Sequence, residues 1–142
     1  WATSYNGFMH GLPADFLAVV QPTVLACRTN SLFEVESLDG TAFAINQLYS
    51  LKADKFFLLS RPEIFGNWDS ESYKDGTQLE YYNGLTATER IKRDAAGTAR
   101  YAWLRSPNPS YAGSARIVGT DGTLHGNSAY NGYGVAPACI IA

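Results

Sequence analysis

A mixed α+β fold is predicted for this chain of 142 residues by three observations. Helix signals, a proline or a hydroxyl residue ahead of an amphipathic stretch, fall in the first two thirds. The last third is a series of short β-patterned runs separated by Gly, Asn and Asp turns, which argues for antiparallel strands. No internal repeat or low-complexity linker divides the chain, so a single domain over residues 1–142 is expected, long enough to bury a core.

Taken in order, "GLPADFLAVVQP" has Pro13 at a first-turn position and Asp15 in that turn. Leu12, Phe16, Val19 and Val20 share one face before Pro22, so the segment reads as a short amphipathic helix. "TVLACR" and "LFEVESL" read as strands, the second alternating Phe33, Val35 and Ser37 with Glu34 and Glu36, and Asp39-Gly40 as a two-residue hairpin turn. "KFFLLS" has the continuous apolar character of a strand buried on both faces, and "RPEIFG" reads as one helical turn closed by Gly66. "GNWDSESYKDGTQ" is a polar surface loop and "QLEYYN" a returning strand. "TATERIKRDA" offers Thr86 or Thr88 as N-cap and carries its basic residues late, which predicts a helix ending near Gly97. From Arg100 the pattern is β: "RYAWLRS", "SARIVGT", an Asp121-Gly122 turn, "TLHGNS" and a final apolar strand "GVAPACIIA".

A net charge of −2 leaves no basic footprint, so neither nucleic acid nor anionic lipid is an expected partner. The apolar runs Phe16–Val20 and Phe56–Leu59 fall far short of the ~20 residues of a bilayer span, and no membrane insertion is expected. No basic-then-apolar stretch opens the chain, so no signal peptide is expected, and the start at Trp1, with Met9 the only methionine, leads to the expectation of a processed chain or of the C-terminal part of a longer protein. Cys27 and Cys139 sit among apolar residues with no Cys or His at ligand spacing, which argues against zinc and leaves free thiols and a disulfide both open.

Catalytic signals are absent. His10 and His125 belong to no nucleophile or metal motif, and His10 reads as a turn residue. Asp69, Glu71 and Asp75 match no calcium-loop spacing and have Lys74 among them, so they read as a solvated acidic loop. The charges of "ERIKRD" read as a solvated helix face. "NGYGVAP" lacks the lysine and the strand-loop-helix order of a phosphate cradle. No enzyme activity, metal or cofactor is expected.

Between Ser110 and Tyr133 stand five Gly, three Tyr, three Ser, three Ala, two Asn, two Thr and a His, with no Lys, Glu, Gln, Met, Trp, Phe or Pro. Aromatic residues with polar tips among small hydrogen-bonding residues are the composition of antibody binding loops, though Gly, Ser and Asn also simply make turns. After Arg105 the only charges are Arg116 and Asp121, and whether either arginine is paired or exposed stays open.

The frame "WLRSPNPS…A…R.V.TDG.L…A…GVAPACII", with "GFMHGLPADFLAVVQP", "DKFFLLSRPEIFG" and "TQLEYYNGLTATERIKRDAAGTARYAWLRSP" upstream, strongly resembles the proteins of bacteria and phages that are diversified by retroelements. The resemblance implies a C-type-lectin-like α+β domain with a variable region at about residues 102–133. In such systems a reverse transcriptase substitutes at template adenines, and an AAC codon can become any codon ending in C, which never encodes Lys, Glu, Gln, Met or Trp. With the frame held fixed, the implied variable, ligand-binding positions are Ala102, Tyr111, Gly113, Ser114, Ile117, Gly119, Thr123, His125, Gly126, Asn127, Ser128, Tyr130, Gly132 and Tyr133. Trp103, Leu104, Val118, Leu124, Val135, Ile140 and Ile141 would be packed, with Pro107, Pro109, Gly122 and Pro137 fixing turns.

The function so implied is non-enzymatic binding of a protein or glycan ligand on a bacterial surface, by a phage tail-tip adhesin or a displayed bacterial protein. Homo-oligomers or other virion proteins are further partners. Calcium-lectin signatures such as Glu-Pro-Asn are missing, since "SPNPS" supplies no carboxylate, so calcium-dependent sugar binding is not expected. A structural virion or interaction module without a variable site is the alternative. An enzyme of the formylglycine-generating type ranks last, because the paired catalytic cysteines it needs are not seen.

Overall fold

The computed structural model describes residues 9–28, 49–69, 75–111 and 113–142. The expected "LFEVESL" strand, the Asp39-Gly40 turn and Glu71 lie outside them. Within them the fold is mixed α+β, with short helices before residue 95 and mostly antiparallel strands.

Helix α1 (Ala14–Val19) follows Pro13 and carries Asp15 in its first turn, as expected. His10 is exposed in the turn before it. Val20 is already extended and begins β1 (Val20–Gln21), so the helix ends before Pro22. The Lys55 ammonium donates to the Leu17 carbonyl at the helix C-terminus (3.2 Å), where the backbone dipole favours a cation. The Phe16 ring meets Phe56 at 6.2 Å. Strand β2 (Thr23–Arg28) then pairs antiparallel with β3 (Tyr49–Asp54), from Thr23↔Asp54 to Arg28↔Tyr49.

"KFFLLS" contributes only a two-residue strand, β4 (Phe57–Leu58), and leads into α2 (Arg61–Phe65). Ser60 and Glu63 form a reciprocal capping box, Ser60 N–H donating to Glu63 Oε2 (2.9 Å) and Glu63 N–H to Ser60 Oγ (3.4 Å). Gly66 closes the helix at φ +79°, a left-handed conformation open to glycine at little cost.

Two expectations fail in the next stretch. "QLEYYN" is a 3₁₀ turn over Glu80–Tyr82 and not a strand. Its backbone groups are satisfied locally, Tyr82 N–H by Leu79 O and Asn83 N–H by Glu80 O, and the turn buries Tyr82 while leaving Tyr81 exposed. Helix α3 is only Ala87–Arg90, with Glu89 accepting from both the N–H and the hydroxyl of Thr86 (2.8 and 2.7 Å). It ends early because Asp94 Oδ1 accepts from the N–H groups of Ala96 and Thr98, which folds β5 (Lys92–Arg93) against β6 (Ala99–Arg100) as a hairpin. The "ERIKRD" charges are therefore no helix face. Arg90 lies over the Phe65 ring, and Lys92 lies over Tyr82 while donating to its hydroxyl (2.7 Å).

The main sheet has the order β10-β7-β8-β9, from β7 (Ala102–Pro107), β8 (Ser114–Val118), β9 (Leu124–Ser128) and β10 (Gly134–Val135). Strand β10 runs parallel to β7, a departure from the antiparallel expectation. "GVAPACIIA" is not one strand: β10, β11 (Pro137–Ala138) and β12 (Ile140–Ile141) pair in turn with β7, β4 and β1. Because these two-residue pieces hold on through backbone bonds at the rim, Val135, Ile140 and Ile141 are about half exposed or more, against the expectation that they pack inside. Cys139 is a half-buried free thiol.

The core joins Ile64, Tyr82, Leu104 and Val118, with Leu59, Phe65, Leu85 and Leu124 around it. Beside it lies a polar network that corrects the reading of a solvated acidic loop. Asp75 is 2% exposed and accepts from the Ser106 hydroxyl, whose oxygen in turn accepts from Arg61 N–H (2.7 Å). Asp69 pairs with both Arg61 and Arg116. Arg105 forks onto Glu63, Nη1 to Oε2 at 2.6 Å and Nη2 to Oε1 at 2.5 Å, and also donates to the carbonyls of Leu58 and Asp75. Both arginines left open by the sequence are thus paired and largely buried.

Replacing Arg105 by Met leaves Glu63 buried without its partner, and chemical denaturation is expected to show a loss of about 3–5 kcal/mol. Asp75 gives a pH signature. Burial raises its carboxyl above the ordinary carboxylate range and outweighs the lowering effects of the Ser106 hydrogen bond and the Arg105 charge. A carboxyl raised in the folded state contributes its stability below the unfolded pKa and loses it as pH rises through the folded value. The wild-type stability minus that of Asp75→Asn is therefore expected to fall as the pH is raised above the ordinary aspartate pKa of about 4 in urea titrations. A flat difference contradicts the assignment.

Candidate functional site

Three segments meet at one end of the β8–β9 hairpin: the turn after β7, the hairpin strands and the loop between β9 and β10. The first is shaped by Asn108, whose Oδ1 accepts from Ser110 N–H (3.0 Å) and whose own N–H donates to Ser114 O (2.9 Å). It returns the chain to β8 through Ser114 N–H donating to Tyr111 O (3.0 Å). The third is docked by Ala129 N–H donating to Gly113 O (2.9 Å) and Gly134 N–H to Tyr101 O (3.0 Å).

Asn127, on β9, joins both hairpin strands to the loop that follows them. Its Nδ2 donates to the Tyr133 hydroxyl (2.7 Å), its Oδ1 accepts from Ser128 N–H (2.8 Å) and Asn131 Nδ2 (2.9 Å), and its carbonyl accepts from the Ser114 hydroxyl (2.7 Å). With both side-chain ends engaged, Asn127 fixes the shape of the site more than it offers free bonding groups.

The result is an open groove of about 540 Å³ lined by Asn108, Tyr111, Gly113, Ser114, Gly126, Asn127, Ser128 and Tyr130. Tyr111 is 70% and Tyr130 88% exposed, so two phenol rings present their faces to solvent. Among the described residues no charged side chain lines the groove. Arg116 approaches its floor but is held by Asp69. At Gly126 a Cβ would stand 2.5 Å from Asn108 Nδ2, so any larger residue there must displace the Asn108 amide.

The fourteen expected positions divide by place. Seven line this groove: Tyr111, Gly113, Ser114, Gly126, Asn127, Ser128 and Tyr130. Gly132 and Tyr133 line a neighbouring cleft. Thr123 and His125 sit at the turn end of the hairpin, where the Thr123 hydroxyl joins His125 Nε2 (2.9 Å) and Asp121 Oδ1 (2.8 Å). Hydrogen bonds from the Thr123 N–H and hydroxyl, with His125 adding to them, hold the Asp121 carboxyl below its usual range. Ala102, Ile117 and Gly119 are buried; the Ala102 and Ile117 side chains, at 3% and 1% exposure, meet the interior, and a Cβ at Gly119 would run into Asp121 and His125.

Tyr133 also departs from the exposed position expected of it. Its ring stacks on Tyr101 (4.9 Å) and Trp103 (5.2 Å) and is half buried. Sequence reasoning missed Asn108 as part of the floor; the Asn-Pro-Ser signal of a side chain bonding its own turn marks it. Among the described residues no group of three or more His, Cys, Asp or Glu could hold a metal ion, and no helix is long and apolar enough to cross a membrane.

A family model for a domain of unknown function, DUF6273, matches residues 5–142. No curated protein and no solved structure matches the chain.

The two loop tyrosines should separate in stability. Tyr130→Ala is expected to stay within about ±0.5 kcal/mol of the parent, as an exposed substitution. Tyr133→Ala removes two ring contacts of about 0.5–1.5 kcal/mol each and is expected to cost roughly 1–3 kcal/mol in urea unfolding. Equal midpoints for the two variants contradict this division.

Proposed function

The chain belongs to the family defined by the domain of unknown function DUF6273, and from that premise we propose that it is a non-enzymatic, retroelement-diversified binding protein with a C-type-lectin-like fold. Its ligand is a protein or glycan of a bacterial surface, and it acts at a phage tail tip or as a displayed bacterial protein. One observation carries this reading: seven positions compatible with AAC-derived codons, spread from Tyr111 to Tyr130, line one uncharged groove. Turn-making alone would not require Gly, Ser, Asn and Tyr from three segments to converge.

Several features support the reading physically. The groove rests on the edge of a four-stranded sheet whose buried side carries Leu104 and Val118, so side chains at its rim can change without cutting into the core. Its lining groups are amides, hydroxyls and phenols, suited to recognition by hydrogen bonds and ring contact. The pairing of β1 with β12 and the antiparallel β7-β8-β9 core support the lectin-like architecture. Ala102, Ile117 and Gly119, being buried, are left out of the contact surface.

The encoding locus decides the matter. A nearby reverse transcriptase gene and a near-copy of the 3′ end differing at adenines are the expected finding. Their absence favours an interaction module without a variable site. With a ligand in hand, Tyr130→Ala is expected to weaken binding by about 1–3 kcal/mol, as for an interface anchor, and unchanged affinity misplaces the groove as the contact face.

A further inference from the structure

Next to the uncharged groove lies a second surface of different chemistry. Arg100, Tyr101, Gly132, Tyr133 and Gly134 enclose an open cleft of about 520 Å³. Arg100, Tyr101 and Gly134 also belong to an adjoining cleft of about 300 Å³ bordered by Lys92, Arg93 and Asp94, so the two form one trough. One stretch of it is aromatic: Tyr101, 39% exposed, is backed by the tilted Tyr133 ring at 4.9 Å. The other is cationic, three basic residues against the single carboxylate of Asp94, in a chain whose net charge is −2.

Arg93 and Arg100 are both exposed and Lys92 is half-buried, and Arg100 is the one of the three that shares the cleft with Tyr101 and Tyr133. Its side chain is 63% exposed, and its Nε is bonded to Asp94 Oδ2 at 2.8 Å. Asp94 is held by the turn, accepting from Ala96 and Thr98 N–H, and so steadies the guanidinium. Among the described residues no bond engages the two Nη groups. Lys92 and Arg93 are turned to structural work on Tyr82 and the Gly97 carbonyl, yet they keep the local field positive.

An exposed ring face beside a planar, bidentate cation matches a ligand that carries a ring and a carboxylate together. We propose that this trough is a subsite for an acidic saccharide, with a pyranose ring lying on Tyr101 and its carboxylate paired with the Nη groups of Arg100. These two contact residues lie outside the positions expected to vary, whereas Gly132 and Tyr133 in the cleft wall lie among them, so the contacts, and not the wall, are independent of the diversified reading of the groove. A weak anchor beside a variable groove would raise the effective concentration of the rest of a surface glycan.

The test is calorimetric titration of the whole chain with trigalacturonic acid, with maltotriose as neutral control and triglutamate as a peptide of equal charge. Trp103 emission gives a second readout, because its ring abuts Tyr133 at 5.2 Å. Trigalacturonate is expected to bind at least about 10-fold more tightly than either control, and Arg100→Gln to weaken it about 10-fold or more through loss of a charge-assisted pair. Tyr101→Leu should weaken it similarly, whereas Val24→Ala, at an exposed position outside the trough and the groove, should leave it unchanged. The Arg100–Asp94 pair is exposed, so Arg100→Gln should fold normally, which an unchanged urea midpoint checks. No binding, equal binding of maltotriose or triglutamate, or binding indifferent to Arg100→Gln each overturns the proposal.

Discussion

The rest of the structure depends on the fork between Arg105 and Glu63. Both side chains are about a tenth exposed, and the arginine comes from the central strand of the sheet while the glutamate comes from α2, 42 residues earlier. Glu63 also caps its own helix through Ser60 N–H, and Arg105 donates to the carbonyls of Leu58 and Asp75. One ion pair thus sets β4, α2, the approach to the 3₁₀ turn and β7 in a single arrangement. Two buried charges are expensive to desolvate, and the geometry offsets that cost because the two parallel bonds and the surrounding carbonyls satisfy the donors.

A second pairing repeats the device nearer the groove. Asp69 forms an ion pair with Arg61 and accepts hydrogen bonds from Arg116, tying the start of α2 to β8. The consequence for function is electrostatic. Arg116, beneath the groove, has its charge met by Asp69, and the described groove residues present neutral polar groups and phenols to a ligand. Arg100, paired through its Nε with the turn carboxylate of Asp94, stays at the surface. Two surfaces of the domain therefore differ in charge for an identifiable structural reason.

Within the groove, side chains divide into those that shape and those that face outward. Asn127 spends both ends of its amide on the loop that carries Asn131 and Tyr133, and Asn108 spends its carbonyl oxygen on its own turn. Tyr111 and Tyr130 face solvent. This division was not legible from composition, since Asn and Tyr occur in both roles. It depends on which backbone groups the neighbouring segment leaves to be satisfied.

By itself the sequence determined whatever is decided within about five residues. The Ser60–Glu63 box closed by Gly66, the start of α3 at Thr86, the β2 strand and the turn at Asp121-Gly122 all follow from local rotamer, capping and φ preferences. The residue types of the groove and the absence of charge after Asp121 were also plain. Only the tertiary structure decided which acid meets which arginine, that Asp75 is buried, that "GVAPACIIA" divides among three partner strands, and that Tyr133 turns inward onto Trp103. Each of these rests on a partner 30 or more residues away. A pairing of that kind leaves no period or motif in the chain, because burial and hydrogen-bond satisfaction belong to the assembled neighbourhood and not to the segment.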